Sequence, residues 1–421
     1  MASYGGSVKK KVLIKGPLLT RSGYGEQSRF ALRSLRSRED LFDIYIHPIQ
    51  WGQTSWMSNM DEERVWIDNT IEKTIAFTQQ GGTFDMSLQI TIPNEFQRVA
   101  PVNVGYTAGI ETTKIAHQWI PKCNEMDKII TISSFSKQAF DSTEYEATNN
   151  QTQEKVVLKT LTPVDFVNYP VKHFQSLPEL DLNITTKFNF LVVAQFGPRK
   201  NLQNTIKWFV EEFRNDDVGL VVKSNIAKNS LIDRNRLFND MKNFMNELGE
   251  KQCKVYLLHG DMSDEEMHSL YKHPKIDAFV SLAHGEGFGL PIFEAAYSGL
   301  PVVATGWSGQ LDFLVDENGD DQFYSVSFDL APVQPEVVWE GVLIKESMWS
   351  YPREVSAKQK MRLCYEDKTN NISRWDNSQI TSRFEDKKQY KKFVDSVLGF
   401  DSSLIEVQDN TPEDQEVLEF E

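Results

Sequence analysis

Apolar residues along this chain gather in short runs, each followed by a stretch with helical spacing. Lys11-Val12-Leu13-Ile14-Lys15 reads as a first strand. It leads through Gly16-Pro17 and Ser22-Gly23-Tyr24-Gly25 into a helix carrying Phe30, Leu32 and Leu35. Asp43-Ile44-Tyr45-Ile46, Phe84 to Ile90, Val102 to Thr107 and Lys128 to Ile132 read as further strands. Trp119, Ile120 and Cys123 recur at helical spacing, and Ser133 or Ser134 caps the next helix. Val156 to Thr160 reads as the last strand of this half. Pro163, Pro170 and Pro178 then punctuate residues 161–187, which read as an interdomain linker.

A second series follows. Phe188 to Ala194, Val218 to Val222, Val255 to Leu258, Ala278 to Val280 and Pro301 to Ala304 read as strands alternating with helices. Such alternation predicts parallel sheets and an α/β fold class. The expected division is residues 1–180, residues 181–385, a helical segment 386–402 and an acidic tail 403–421. Residues 52–82 are polar, with Trp51, Trp56 and Trp66 in or beside them, and have room for an acceptor-recognition insertion, although packing is the commoner role for any one Trp. Past Leu330 the pattern weakens.

The most informative stretch is LAHGEGFGLPIFEAAYSGLPVVATGWSGQLDFL, residues 282–314. Glu286 and Glu294 stand eight residues apart, with Gly287, Phe288, Gly289, Leu290 and Pro291 between them. Gly287 and Gly289 let the backbone turn tightly and approach a ligand. Pro291 suits the first turn of a helix, where its missing N–H costs nothing. The helix starts near Leu290 and Gly299 ends it. Its first N–H groups face back to the loop, where a phosphate would be welcome. Two acids cannot bind that phosphate, but they accept strong charge-assisted hydrogen bonds from hydroxyls. A ligand with a diphosphate in the middle and hydroxyls at both ends satisfies the whole set, and a nucleotide sugar is such a ligand. An isolated acid pair reads as solvated side chains; the glycine loop, the proline and the flanking strands favour the ligand.

The segment GEGFGLPIFEAAYSGLPVVAT resembles the E-x7-E signature of retaining glycosyltransferases of the GT-B fold, family GT4. That resemblance implies two Rossmann-like domains facing across a cleft, acceptor side first and donor side second. It implies that Glu286 contacts donor-sugar hydroxyls, that Glu294 contacts the ribose, and that the backbone of Gly287, Phe288, Gly289 and Leu290 holds the distal phosphate. In the family pattern a strand ends with Arg and a Lys comes five residues later. Lys200 matches that Lys, whereas Gln195 occupies the Arg position, so Arg199 is expected to supply the second positive charge. Adjacent cations where a strand gives way to a helix also lie where open α/β sheets bind ligands. Gly23 and Gly25 match a loop that faces the donor phosphates. Met262 is expected near the nucleobase and His284 near the donor sugar, although a packing role serves His284 as well. Thr107, Ala108, Gly109 and Glu111 would line the acceptor side. The family often has a histidine in that turn; here it is absent, and the nearby His117 reads as structural. Tyr390 to Leu398 would be the helix that crosses back to the first domain.

Composition narrows the reading further. At 421 residues the chain is long enough for two domains. Cys123, Cys253 and Cys364 are few, odd in number and widely spaced, which suits a reducing compartment and a cytoplasmic location. No apolar run approaches the roughly 20 residues of a membrane span, and the lysines near the start lack the apolar core of a secretion signal. The formal net charge is −15, part of it from Glu406, Asp409, Glu413, Asp414, Glu416, Glu419 and Glu421. That balance disfavours nucleic acid as a partner.

The expected activity is therefore retaining transfer of a sugar from a nucleotide diphosphate sugar to an acceptor hydroxyl on a glycan, a lipid-linked acceptor or a small molecule. No cofactor is expected, and no metal, since the chain has no Asp-x-Asp and no clustered His or Cys. Two alternatives stand beside it: a DNA-base-modifying glycosyltransferase of viral type, and a noncatalytic binder of nucleotide sugar or glycan.

Overall fold

The computed structural model describes residues 9–52, 54–148, 153–376 and 378–404. The expected acidic tail lies outside the described residues from position 405 onward.

The first domain contains β1 (Lys10–Gly16), β2 (Phe42–Pro48), β3 (Met86–Ile90), β4 (Val102–Tyr106), β5 (Lys128–Thr131), β6 (Glu144–Thr148), β7 (Lys155–Lys159) and β8 (Val164–Phe166). Six of them form a parallel sheet in the order β2-β1-β3-β4-β5-β8. Helices α1 (Gly23–Arg36), α2 (Glu62–Gln79), α3 (Trp119–Asn124) and α4 (Ser134–Ser142) accompany it.

Three expectations need correction here. Val156 to Thr160 is not the last strand of the sheet. β7 pairs antiparallel with β6 in a separate two-stranded ribbon, where its β-branched run hydrogen-bonds without entering the core. The edge strand is β8, which lies inside the stretch expected to be linker and pairs with β5. Residues 52–82 are no irregular insertion: α2 fills most of them, capped by the Asp61 carboxylate, which accepts from Arg64 N–H. It buries only Ile67, Thr70 and Thr74, so little hydrophobic periodicity announces it.

The second domain repeats the plan. β9 (Phe188–Val193), β10 (Val218–Lys223), β11 (Lys254–Leu258), β12 (Ala278–Ser281), β13 (Val302–Thr305) and β14 (Tyr324–Val326) form a parallel sheet in the order β11-β10-β9-β12-β13-β14. The inner strands are apolar on both faces because helices cover both. The helices are α5 (Leu202–Glu212), α6 (Leu231–Glu247), α7 (Asp264–Tyr271), α8 (Leu290–Tyr297) and α9 (Leu311–Leu314). Beyond the sheet, β15 (Phe328–Pro332) and β16 (Met348–Pro352) form an antiparallel pair, followed by α10 (Glu354–Thr369) and α11 (Ser378–Arg383).

The last helix, α12 (Asp386–Leu398), packs on α1 of the first domain. Phe393 meets Phe30 of α1 at 5.3 Å between ring centres. The Lys128 ammonium donates to the Ser396 carbonyl, and the Ser396 hydroxyl donates to Asp165. One apolar core therefore runs through both domains. Phe288 of the glycine loop touches Tyr169 at 5.3 Å, and Tyr169 touches Phe30 at 5.7 Å.

Candidate active site

The glycine loop leaves β12 and lies directly against the first domain. A methyl group added to Gly285 would fall 2.3 Å from the Glu111 carbonyl oxygen, and one on Gly287 would fall 3.1 Å from that of Ala108. The Ser133 hydroxyl donates to the Gly287 carbonyl at 2.5 Å. Gly289 caps α8 with φ 93°, a left-handed conformation that glycine adopts without strain. Pro291 follows in the first turn, as expected.

Glu286 sits at the centre. Its N–H donates to the Ser308 hydroxyl at 2.9 Å, and Ser308 itself holds φ 78°. Its carboxylate is only 8 % exposed and carries two cations, Lys200 at 2.5 Å and Arg199 at 3.1 Å. Burial pushes the Glu286 carboxyl up, but Lys200 and Arg199 outweigh it and hold the group below its ordinary range. Burial pulls Lys200 down, only partly offset by Glu286. Burial also pulls at Arg199, but Glu111 and Glu286 overcome it and keep the guanidinium firmly charged. The cations remain within reach of solvent, Arg199 at 32 % exposure and Lys200 at 18 %.

Local backbone geometry puts both cations there. Pro198–Lys200 is a single 3-10 turn that ends on Asn201, at φ 52°. The Asn201 amide donates to the Leu282 carbonyl at 3.0 Å, and His284 N–H donates to the Arg199 carbonyl at 2.8 Å. The turn and the loop are thus stitched together. Gln195 turns away and donates to the Ile226 carbonyl. Arg199 places a second positive charge beside Glu286. It reaches across to the first domain as well, 3.3 Å from Glu111.

Glu294 lies a turn into α8 and serves a different set of groups. The Tyr271 hydroxyl donates to it at 3.0 Å. Burial pushes its carboxyl up to about 7, with Lys172 opposing and Asp264 and Glu26 adding to the rise. Lys172, in the segment between the domains, pairs with Glu26 of α1 at 3.0 Å and with Asp264 of α7 at 2.8 Å. Both central acids therefore address the first domain. Glu286 does so through Arg199 and Glu111, Glu294 through Lys172 and Glu26.

Other expected residues take varied places. Gly23 and Gly25 lie in the first turn of α1, whose cap is Ser22. Gly23 borders open space, whereas Gly25 gives its N–H to the Ser22 hydroxyl and presses against the Thr20 carbonyl, so it serves packing. The Phe288 ring is buried among Tyr169, Phe293 and Phe313, which leaves only its backbone for a ligand. Leu290 is half-buried at the head of α8. The Met262 carbonyl accepts from Arg21 of the first domain at 3.3 Å. Thr107 is buried, its hydroxyl 2.9 Å from that of Tyr24, and Gly109 holds φ 71° against Ser136. His284 is built into packing: it stacks on Trp349 at 4.8 Å, and its Nδ1 is 2.6 Å from the Ser350 carbonyl oxygen. His117 precedes α3, exposed, with its ring 5.9 Å from that of Tyr145. Among the described residues, no three or more His, Cys, Asp or Glu come together as a metal-holding group.

Sequence reasoning missed Lys172, Tyr271, Asn201 and Ser308. None of them belongs to a spaced motif. Only Lys172, a lone cation among prolines, carried any local signal.

Comparison with known proteins bears on this geometry. Residues 181–323 match the family model for glycosyl transferases group 1. No curated protein matches the chain. Among solved structures, HepE of Anabaena, in complex with UDP and glucose, superposes with a TM-score of 0.59 at 14 % identity, over 93 % of this chain and 100 % of that one. Sucrose-phosphate synthase of Thermosynechococcus elongatus gives 0.58 at 10 % identity, over 92 % and 98 %. A glycosyltransferase of Rickettsia africae gives 0.56 at 13 % identity, over 93 % and 99 %. Likeness at these identities speaks for the fold. The chain has the two-domain GT-B fold, and residues 181–323 of it match the glycosyl transferases group 1 model.

Proposed function

We propose that the protein transfers a sugar from a nucleoside diphosphate sugar to an acceptor hydroxyl, with retention at the anomeric carbon and without a bound metal. The observation that carries this reading is the pairing of Lys200 and Arg199 with Glu286 at the head of α8, inside a group 1 domain. The two cations and the first turn of α8 would receive the diphosphate and stabilise it as it leaves. Displaced from them, Glu286 would turn to hydroxyls of the donor sugar, and Glu294 to the ribose. HepE, with its bound UDP and glucose, makes uridine nucleotides the natural first donors to try. The three described cysteines are all free and buried, which suits a reducing, cytoplasmic setting.

The test is incubation with labelled nucleotide sugars, alone and with glycan acceptors, followed by determination of the product's anomeric configuration. Release of nucleoside diphosphate and a product of unchanged configuration are expected. Donor binding without release would instead mark a noncatalytic binder, which the absence of histidine from residues 107–111 would favour. An inverted product would overturn the retaining mechanism.

A further inference from the structure

A cavity of about 420 Å³ opens at the rim of the domain interface, outside the cluster of charges just described. The first domain lines it through Thr112, Thr113 and the outward side of α4; the second lines it through Trp307, Ser308 and the start of α9. Its size falls toward the small end of the roughly 300–1,000 Å³ of small-molecule sites.

Its chemistry is distinctive. No Lys or Arg lines it, and its one charged residue, Asp312, is already engaged. Asp312 accepts from Ser134 N–H and the Ser134 hydroxyl, and from the Asn168 amide at 2.7 Å. Two aromatic rings, Phe135 and Trp307, meet edge to face at 4.8 Å. The Gln138 amide and the Ser142 hydroxyl, both exposed, line it beside them. Aromatic surface beside uncharged donors and acceptors is what a sugar ring needs, with its apolar C–H face and its equatorial hydroxyls. A phosphate or a nucleic acid would find no countercharge there.

The cavity is joined to the reaction site on both sides. Ser308 holds Glu286 N–H, and Trp307 packs beside Gly285. Thr112 and Thr113 directly follow Glu111, the partner of Arg199. We infer that this cavity is a subsite for an uncharged sugar residue of a glycan acceptor, held a short distance from the residue that receives the transferred sugar. That assignment rests on the transferase reading for calling the ligand an acceptor; the preference for a neutral sugar rests on the cavity alone.

The experiment uses the whole chain, with methyl glycosides of glucose, galactose, mannose and N-acetylglucosamine as probes, in saturation-transfer NMR with UDP present. At least one glycoside should bind. Trp307→Ala and Gln138→Ala should each weaken it at least fivefold, and Trp307→Phe should retain most of the binding. Gln138 is exposed, so its variant keeps the test decisive if Trp307→Ala fails to fold. Unchanged affinity in Gln138→Ala and Trp307→Ala would overturn the inference. So would a loss confined to Trp51→Ala, which would move the sugar to Trp51, whose ring stacks on Tyr24 at 4.0 Å, or tighter binding of glucose 6-phosphate than of methyl glucoside. Binding of UDP, GDP and ADP to the wild-type chain is measured alongside. Glycoside binding that depends on Trp307, without any nucleotide binding, would defeat the transferase reading and leave a sugar site. Nucleotide binding without that dependence would defeat this inference alone.

Discussion

Arg199 and Glu111 belong to different domains, and their charged ends lie 3.3 Å apart. The same guanidinium holds Glu286 at 3.1 Å. One cation therefore ties a loop of the first domain to Glu286 of the second, and a diphosphate arriving beside Arg199 would be sensed on both sides. Arg199→Ala and Glu111→Ala should consequently be non-additive. A double-mutant cycle on kcat/KM is expected to give a coupling of about 0.5–3 kcal/mol. Additivity within error would mean that the contact carries no functional weight.

Lys200 is the more buried cation and pairs with Glu286 at 2.5 Å. Lys200→Ala should lower turnover by about 10²–10³-fold, the usual cost of losing one preorganised charge-stabilising group. Circular dichroism should show the fold intact, because Arg199 still neutralises Glu286. Turnover near the wild-type value would remove Lys200 from the site.

Glu294 should give the protein a pH signature. Its carboxyl is pushed up to about 7 from an ordinary 4.5, first by burial. Between those values the folded chain holds a proton that the unfolded chain has released, so stability falls as pH rises through that window. The slope is at most about 1.4 kcal/mol per unit. Melting temperatures of Glu294→Gln should lack this slope. Donor affinity should rise above pH 7, where an ionised Glu294 accepts hydroxyls more strongly, and Glu294→Gln should flatten that rise too. A profile identical in both proteins would contradict the assignment.

Two glycines of α1 should part company. A methyl group on Gly25 would meet the Thr20 carbonyl oxygen at 2.0 Å, whereas one on Gly23 meets nothing within 4 Å. Gly25→Ala is expected to cost about 1–3 kcal/mol of stability, read by thermal melting, and Gly23→Ala almost none. Gly309→Ala should behave like Gly25→Ala and also lose activity, because its methyl group would strike the Gly287 carbonyl oxygen at 2.0 Å.

Much of this was legible in the residues. Most strands of both sheets stand out as apolar runs, though the three-residue edge strands β8 and β14 do not, and the loop from Glu286 to Glu294 announces itself through glycine, proline and acid spacing. Lys200 could be picked out through its match to the Lys of the family pattern. What escaped depended on tertiary contact. α2 buries too few residues to show a helical stripe. The Val156–Val157 pair resembles a core strand, but both residues are exposed on a ribbon. Lys172 and Tyr271 acquire meaning only when the fold sets them beside Glu294. His284 suits a donor-sugar contact or a packing role equally by position, and its stack on Trp349 is visible only in the fold.

The account depends on the Arg199–Lys200–Glu286 cluster receiving a diphosphate. Calorimetric titration of UDP, GDP and ADP into the wild-type chain and into Lys200→Ala tests this most directly. One of the three should bind the wild-type chain, and the substitution should weaken it at least tenfold, or about 1.4 kcal/mol. Failure of all three to bind, or equal affinity in both proteins, would contradict it.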